Sequence, residues 1–185
     1  MIRAFVGLAL PEEIEDRLLA VQAGLPVGRA VKPGALHITL VFLGPQQEPV
    51  LEDLHVALSA LTAPPLTLRL RGLGLFGGAR PRNLHAEVVP DPDLKALRKR
   101  VAAEARAVGI EVPRERFVPH VTLARFGAGM TEEDLEALHR FLATRLALRV
   151  GPFRVDRLTL FRAHLRPDGA EYDALAAYPL EQGSA

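Results

Sequence analysis

The chain has 185 residues, 49% of them hydrophobic and 24% charged, which is the balance of a soluble globular protein. This length suits one domain or two small ones and is enough to bury a sizeable core. Cysteine is absent, which excludes disulfides, thiolate metal sites and cysteine nucleophiles. The net charge of +1 carries no global signature of nucleic-acid binding.

The basic residues are mostly arginine, with 20 Arg against 3 Lys. A guanidinium binds phosphate through two parallel hydrogen bonds, although a GC-rich genome also accounts for such a bias. The many prolines and alanines and the missing cysteine resemble the composition of thermophile proteins. The first apolar segment, residues 2–9, is too short to span a bilayer and is followed by acidic residues. We therefore expect a cytoplasmic protein with no membrane partner.

The first half of the chain predicts five elements in the order strand, helix, strand, helix, strand. The strand signals are residues 2–9, 37–44 (HITLVFLG) and 73–80, and the helix signals are the acidic segment after Pro11 and LEDLHVAL at 51–58. Proline followed by acidic residues suits a helix N-terminus. Closely spaced glycines mark the third strand and its turn.

The second half of the chain predicts the same order of elements. Its signals are HAEVVP at 85–90, a helix at 91–108, HVTLARFG at 120–127, a helix at about 131–145, LTLF at 158–161 and a closing strand in EYDALAAYPL at 171–180. Thr131 opens the second of these helices with the pattern of a capping box.

The order of elements repeats because the sequence itself repeats. HITL and HVTL lie 83 residues apart, LEDLHVAL and LEALHRFL 84, and LGLF and LTLF 85, as small loop insertions would produce. We predict an α+β fold of two pseudo-symmetric lobes, each an antiparallel sheet with helices on one face, with an active-site cleft between them. Residues 1–185 would form one bilobal domain, with repeats of approximately 1–81 and 82–185.

The two His-x-Thr motifs each place an imidazole and a hydroxyl on one face of a strand. Because side chains alternate between faces, His37 and Thr39 point together, as do His120 and Thr122. Two imidazoles that titrate near neutral pH serve as a general acid and a general base, and two hydroxyls donate hydrogen bonds to phosphate oxygens. A zinc site on the two histidines would lack a third ligand at a recognisable spacing. The pattern indicates chemistry at phosphorus with no metal or cofactor.

The remaining histidines fit structural explanations better. His55 and His139 also repeat, but they lie beside leucine stripes on predicted helices, which indicates surface or helix-packing positions. His85 and His164 have no repeat partner of the same type, and we expect them to be structural or solvated.

The two motif strands differ at one repeated position, which is Phe42 in the first and Arg125 in the second. We expect Phe42 in the core rather than as a base-stacking surface. Strict alternation turns Arg125 to the side of Val121 and Leu123, away from His120. A bulge, or the end of the strand, would be needed to bring this arginine to the site.

HITLVFLG, PHVTLARF and the opening MIRAFVGLALPEEI resemble the two-histidine phosphoesterase superfamily, over nearly the whole chain. Within it they are similar to the bacterial and archaeal RNA 2′,3′-cyclic phosphodiesterases, also called 2′-5′ RNA ligases. The resemblance implies a bilobal fold and metal-independent hydrolysis of RNA 2′,3′-cyclic phosphodiester ends to 2′-phosphomonoesters. Since a catalyst accelerates both directions, it also implies 2′-5′ ligation as a reverse activity.

The resemblance also implies a role for each motif residue. By position, His37 would donate a proton to the leaving 3′ oxygen, and His120 would be the base that activates water. Thr39 and Thr122 would hold the phosphate oxygens, with Arg125 as a further phosphate contact. The near-symmetric motifs themselves offer no physical way to tell acid from base.

Two other functions stay open on the sequence alone. One is hydrolysis of a different cyclic or 2′-5′ nucleotide phosphodiester, and the other is a noncatalytic module that binds RNA ends or phosphate. The expected partners are RNA ends or nucleotides bearing a 2′,3′-cyclic phosphate, bound by a monomer.

Overall fold

Nine strands pair into one continuous antiparallel sheet in the computed structural model, which describes residues 1–114, 116–145, 147–167 and 169–181. In chain order the elements are β1 (Ile2–Ala9), α1 (Glu12–Gln22), β2 (Arg29–Ala30), β3 (His37–Gln46), α2 (Glu48–Ser59), β4 (Leu66–Phe76), β5 (Asn83–Val88), α3 (Pro92–Ala107), β6 (His120–Arg125), α4 (Glu132–Ala143), β7 (Arg149–Val155), β8 (Arg157–Arg166) and β9 (Gly169–Pro179). The predicted α+β class is confirmed.

The two lobes are the two halves of this sheet. The strand order is β7-β4-β5-β6-β3-β1-β8-β9, with the short β2 paired to β6. One lobe runs outward from β3 through β1, β8 and β9, and the other runs outward from β6 through β5, β4 and β7. The lobes are therefore not consecutive in sequence, because β8 returns from the end of the chain to pair with β1.

The two helices of the second half, α3 and α4, both start with a side-chain cap. The Asp91 carboxylate accepts a hydrogen bond from the Leu94 backbone N–H at 2.8 Å, at the start of α3. At α4, the Thr131 hydroxyl accepts from the Asp134 N–H, and the Asp134 carboxylate accepts from the Thr131 N–H. The predicted capping box is thus confirmed.

The core lies behind the motif strands, on the face opposite their histidines. Ile38 and Val121 are fully buried, and so is Leu123, two positions further along β6. Leu94 and Val101 of α3 are buried in the same cluster, as the helical stripe predicts. Burial of the apolar face fixes which face of each motif strand is presented to solvent.

A buried amide ties α1 to the second motif strand. The Gln22 side chain donates hydrogen bonds to the backbone oxygens of Leu123, at 2.6 Å, and Val31, at 3.2 Å. Val31 in turn donates its N–H to the Leu123 oxygen at 2.8 Å. These bonds hold the segment between α1 and β3 against β6, so both motifs share one support.

We expect Leu54→Ala to lower the free energy of unfolding by about 2–5 kcal/mol, because Leu54 of α2 is fully buried and truncation leaves a cavity. Val56→Ala on the same helix is the matched control, since Val56 is 69% exposed, and it should change stability by no more than about 0.5 kcal/mol. Urea unfolding followed by circular dichroism measures both. Equal losses in the two variants would contradict this packing of α2.

Candidate active site

The central pair of strands, β3 and β6, brings the two motifs side by side. Ile38 pairs with Val121 in antiparallel register, so Thr39 lies across from His120, and His37 lies across from Thr122. All four polar side chains are half-buried. They line one cavity of about 640 Å³ between the lobes, in the cleft that the repeat predicts.

A β-bulge follows each motif and turns one further side chain into the cleft. Along β3, the pairing with β1 skips Leu40, so Phe42 falls on the same face as Thr39. Along β6, the pairing with β5 skips Leu123, so Arg125 falls on the same face as Thr122. Arg125 therefore lines the cavity despite its parity in the sequence.

The prediction that Phe42 lies in the core is wrong. Its side chain is 68% exposed and lines the same cavity. The bulge explains the error, because it moves the neighbouring Val41 into the core and leaves Phe42 facing the cleft. The two lobes therefore present an aromatic ring and a guanidinium at related positions.

The same hydrogen bond orients both motif imidazoles. The Nδ1–H of His37 donates to the Ala35 carbonyl at 2.8 Å, and that of His120 donates to the Val118 carbonyl at 2.7 Å. Each Nε2 is thereby left as an acceptor. The Nε2 of His37 accepts from the Thr39 hydroxyl at 3.1 Å. Both imidazoles thus have the tautomer that a base requires.

The His37 imidazole lies among aromatic rings from three strands. Its centroid is 4.6 Å from that of Phe5, 4.9 Å from that of Tyr172 and 6.0 Å from that of Phe161. Phe5 and Phe161 stack on each other at 4.9 Å. These rings limit the rotation of the imidazole and shield it from water.

The His120 imidazole has a different set of neighbours. Phe76 meets it edge-on at 4.8 Å, and His85 lies 5.1 Å away. His85 stacks on Phe76 at 4.0 Å and is only 2% exposed. Its Nδ1 lies 3.2 Å from the Asn83 side-chain oxygen. His85 is thus buried rather than solvated, which is one of the two positions expected for it, and it adjoins the site.

The imidazoles of His37, His85 and His120 bind protons weakly. The pKa of His37 is lowered from 6.5 to about 4, mainly by burial and also by the charges of Arg125 and His120. The hydrogen bond to the Ala35 carbonyl acts in the opposite direction and raises this pKa. Burial, and then Arg125, lowers the pKa of His120 as well. Burial, and then the charge of His120, lowers the pKa of His85 to about 4. At neutral pH His37 and His85 are therefore neutral.

Cationic side chains line one end of the cavity. The Arg125 side chain has no hydrogen bond or ion pair with any described residue, and the Arg29 side chain donates to the Pro167 carbonyl at 2.7 Å. Arg166 lies 3.6 Å from the Glu171 carboxylate. The guanidinium of Arg125 is available to an anion that enters the cleft.

The other histidines lie outside the cleft. His55 of α2 bonds to the Tyr178 hydroxyl at 3.0 Å, and His139 is exposed on α4, so their predicted helix positions are confirmed. His164 lies 2.7 Å from the Asp173 carboxylate.

The part of the chain that the structure describes contains no group of three or more His, Cys, Asp or Glu side chains suited to a metal ion. None of the helices described has the length and apolar character that crossing a membrane requires.

Comparison with known proteins assigns the family. The family model described as the 2′-5′ RNA ligase superfamily matches residues 10–166. The chain belongs to the 2′-5′ RNA ligase superfamily. The resemblance carried by the two motifs is therefore confirmed.

Curated superfamily relatives carry the name RNA 2′,3′-cyclic phosphodiesterase. The Geobacillus stearothermophilus protein is 32% identical over 95% of this chain, which spans only 56% of that relative's length. The Thermus thermophilus protein is 30% identical, over 97% of this chain and 90% of the relative. The Bacillus subtilis protein is 27% identical over 95% of both chains.

Solved structures share the fold of this superfamily member. The Thermus thermophilus protein TT0787 has a TM-score of 0.80 at 28% identity, covering 99% of this chain and 100% of that one. Escherichia coli LigT in its apo form has a TM-score of 0.76 at 23% identity, covering 98% of each chain. The whole bilobal architecture is therefore common to these proteins.

Several cavity residues had no signal that marked them in the sequence. Tyr172 and Arg29 lie outside both motifs and have no repeated counterpart. Phe76, which lines the cavity, and Phe161, which contacts His37, end the repeated LGLF and LTLF segments, so the repeat did contain a signal for them. The repeat did not place either ring at the site, since it did not show which lobe each strand joins.

We expect the free energy of unfolding to decrease as the pH falls from 6.5 towards 4. In this interval the unfolded chain binds protons on His37 and His85 that the folded protein does not bind. Above pH 6.5 the two imidazoles are neutral in the folded and in the unfolded state, so they no longer contribute to the slope. Urea unfolding at a series of pH values measures the slope.

The variant His37→Gln should make this pH dependence shallower, because one of the two titrating groups is gone. His139→Gln, on the exposed face of α4, is the matched control and should leave the slope as it is. An unchanged slope in His37→Gln would contradict the lowered pKa.

Proposed function

We propose that the protein hydrolyses RNA 2′,3′-cyclic phosphodiester ends to 2′-phosphomonoesters, with His37 and His120 as its acid and base. The observation that carries the proposal is the β3–β6 register, which sets two imidazoles and two hydroxyls around one cavity. The name shared by the curated relatives supports the substrate. The substrate partners are RNA ends or nucleotides with a 2′,3′-cyclic phosphate.

The reaction transfers one proton on each side of phosphorus. Water attacks in line with the P–O3′ bond, and its proton passes to Nε2 of His120. The P–O3′ bond breaks, and O3′ takes a proton from Nε2 of His37. The product keeps the phosphate on O2′ and has a free 3′ hydroxyl. This order of acid and base follows the family resemblance.

The hydroxyls and the guanidinium would hold the nonbridging oxygens. In the free protein the Thr39 hydroxyl donates to Nε2 of His37. When that nitrogen takes up a proton it no longer accepts, so the hydroxyl becomes available to the phosphate. Thr122 and Arg125 face the same space, and the Arg125 charge offsets that of the diester. The exposed ring of Phe42 offers a stacking surface for the base.

The negative charge of the substrate would allow His37 to be protonated and so to act as an acid. A neutral His37 cannot donate a proton from Nε2, and its pKa in the free protein is about 4. A diester anion beside the imidazole stabilises the protonated form and screens the repulsion from Arg125. We therefore expect the pKa of His37 to rise when the substrate binds. The same groups would catalyse 2′-5′ ligation, in which a 5′ hydroxyl attacks phosphorus in place of water, His120 takes its proton, and the P–O3′ bond breaks as O3′ is protonated by His37. This ligation is the reverse of cleaving a 2′-5′ linkage to a 2′,3′-cyclic phosphate and a 5′ hydroxyl.

We expect His37→Ala and His120→Ala each to lower kcat by about 10²–10⁴-fold, because each removes one proton transfer. The substrate is an RNA ending in a 2′,3′-cyclic phosphate, and phosphorus NMR identifies the product. His164→Ala, outside the cleft, is the matched control and should retain full activity. Turnover by the wild type should persist in excess chelator.

Three outcomes would overturn parts of this function. Loss of turnover in chelator would show that the mechanism needs a metal. If only another cyclic or 2′-5′ diester were turned over, that diester would replace the RNA 2′,3′-cyclic phosphate as the assigned substrate. Binding of the RNA end without turnover of any diester would identify a noncatalytic module.

The pH dependence of kcat/KM and of kcat should differ. The former reports the free enzyme, where the pKa values of both imidazoles are lowered, so we expect its maximum below pH 6.5. The latter reports the complex, where the diester raises the pKa of the acid, so its alkaline limb should lie at higher pH. Steady-state rates over a pH series measure both profiles. Coincident alkaline limbs would contradict the proposed effect of the substrate.

A further inference from the structure

A second groove opens beside the catalytic cavity. It has a volume of about 290 Å³ and lies between β3, α3 and the segment before β6. It shares Thr39, Phe42, Phe76 and His120 with the catalytic cavity. A chain bound in the catalytic cavity therefore has a continuous path into this groove.

Arg98 of α3 lines the groove and carries one unsatisfied donor. Its Nε is buried and has no hydrogen-bond partner among the described residues. The guanidinium carbon lies 5.4 Å from the centroid of the Phe117 ring, which holds it at the groove wall. A buried guanidinium donor without an acceptor costs free energy, so the site favours an occupant that supplies one.

The other lining residues combine positive charge with exposed apolar surface. Arg116 is exposed and has no ion pair among the described residues. Phe42 and Val118 are 68% and 44% exposed. Guanidinium groups beside aromatic faces are the features with which proteins bind single-stranded nucleic acid, through phosphate contacts and base stacking.

We propose that this groove, called here the Arg98 groove, binds the nucleotide that precedes the cyclic phosphate nucleotide of an RNA chain. The guanidinium of Arg98 binds the phosphodiester, and the ring of Phe117 contacts the base. The inference rests on the proposed function and deepens it, because it makes an RNA chain, rather than a mononucleotide, the preferred substrate.

The test compares two substrates with the same reacting end. One is a nucleoside 2′,3′-cyclic monophosphate, and the other is a trinucleotide ending in that nucleotide. We expect the wild-type kcat/KM to be about tenfold higher for the trinucleotide, as a charge-assisted hydrogen bond would give. In Arg98→Met, which keeps the aliphatic stem, the ratio of the two values should fall several-fold towards one, since Met has no donor.

Lys99→Met is the matched control, because it removes the same charge from the same helix outside the groove. It should keep the wild-type ratio. Equal kcat/KM values for both substrates in the wild type would overturn the proposal. So would a ratio that Arg98→Met leaves unchanged. Thermal melting checks folding, and Arg98→Met should melt no lower than the wild type because it removes an unsatisfied buried donor.

A binding measurement separates failure of this inference from failure of the proposed function. Absence of turnover with both substrates would overturn the function alone. Fluorescence anisotropy with a trinucleotide and a mononucleotide bearing a 2′-phosphate then tests the groove. Tighter binding of the trinucleotide that Arg98→Met abolishes supports the groove, and equal affinities overturn it.

Discussion

The pairing of Ile38 with Val121 is the contact on which the rest of the site depends. It joins the two halves of the sheet at their centre, and it sets both motif imidazoles against one cavity. A slip of one residue in either strand would turn its histidine and threonine into the core. The register is held from behind by burial of both partners, and from the side by Gln22, which bonds to the backbone of β6.

The paired bulges increase what two short strands can present. A regular strand would show every second residue to the cleft, so the third residue to face it would be apolar Val41 or Ala124. The bulge at each motif leucine returns these residues to the core and presents Phe42 and Arg125 instead. A repeated irregularity of the backbone thus supplies the site with an aromatic surface and a cation.

Local signals in the sequence predicted the elements and the motif faces, and non-local ones were out of reach. The capping box at Thr131 and the strand period around His37 depend on residues a few positions apart, so the sequence contains them in full. The bulge that brings Arg125 to the cleft depends on the pairing of β6 with β5, which no local pattern specifies. Tyr172 reaches His37 only because β9 folds back along β8, after most of the chain has intervened. For the same reason, no local pattern showed that β4, from the first repeat, lies in the lobe of β6, or that β8, from the second repeat, lies in the lobe of β3.

The two lobes share a backbone plan but differ in the side chains around it, and the proposed reaction explains why. A fully symmetric site would bind a cyclic diester equally well in two opposite orientations, of which only one presents O3′ to the acid. Different residues at related positions remove this degeneracy. On the outer side of each motif strand the neighbours differ: Gly7 of β1 pairs with Thr39, whereas His85 of β5 pairs with Thr122. Phe42 likewise faces the cleft where the other lobe has Arg125. A duplicated frame therefore supplies the matched imidazoles, and in the proposed reaction the differences between the lobes would orient the substrate between them.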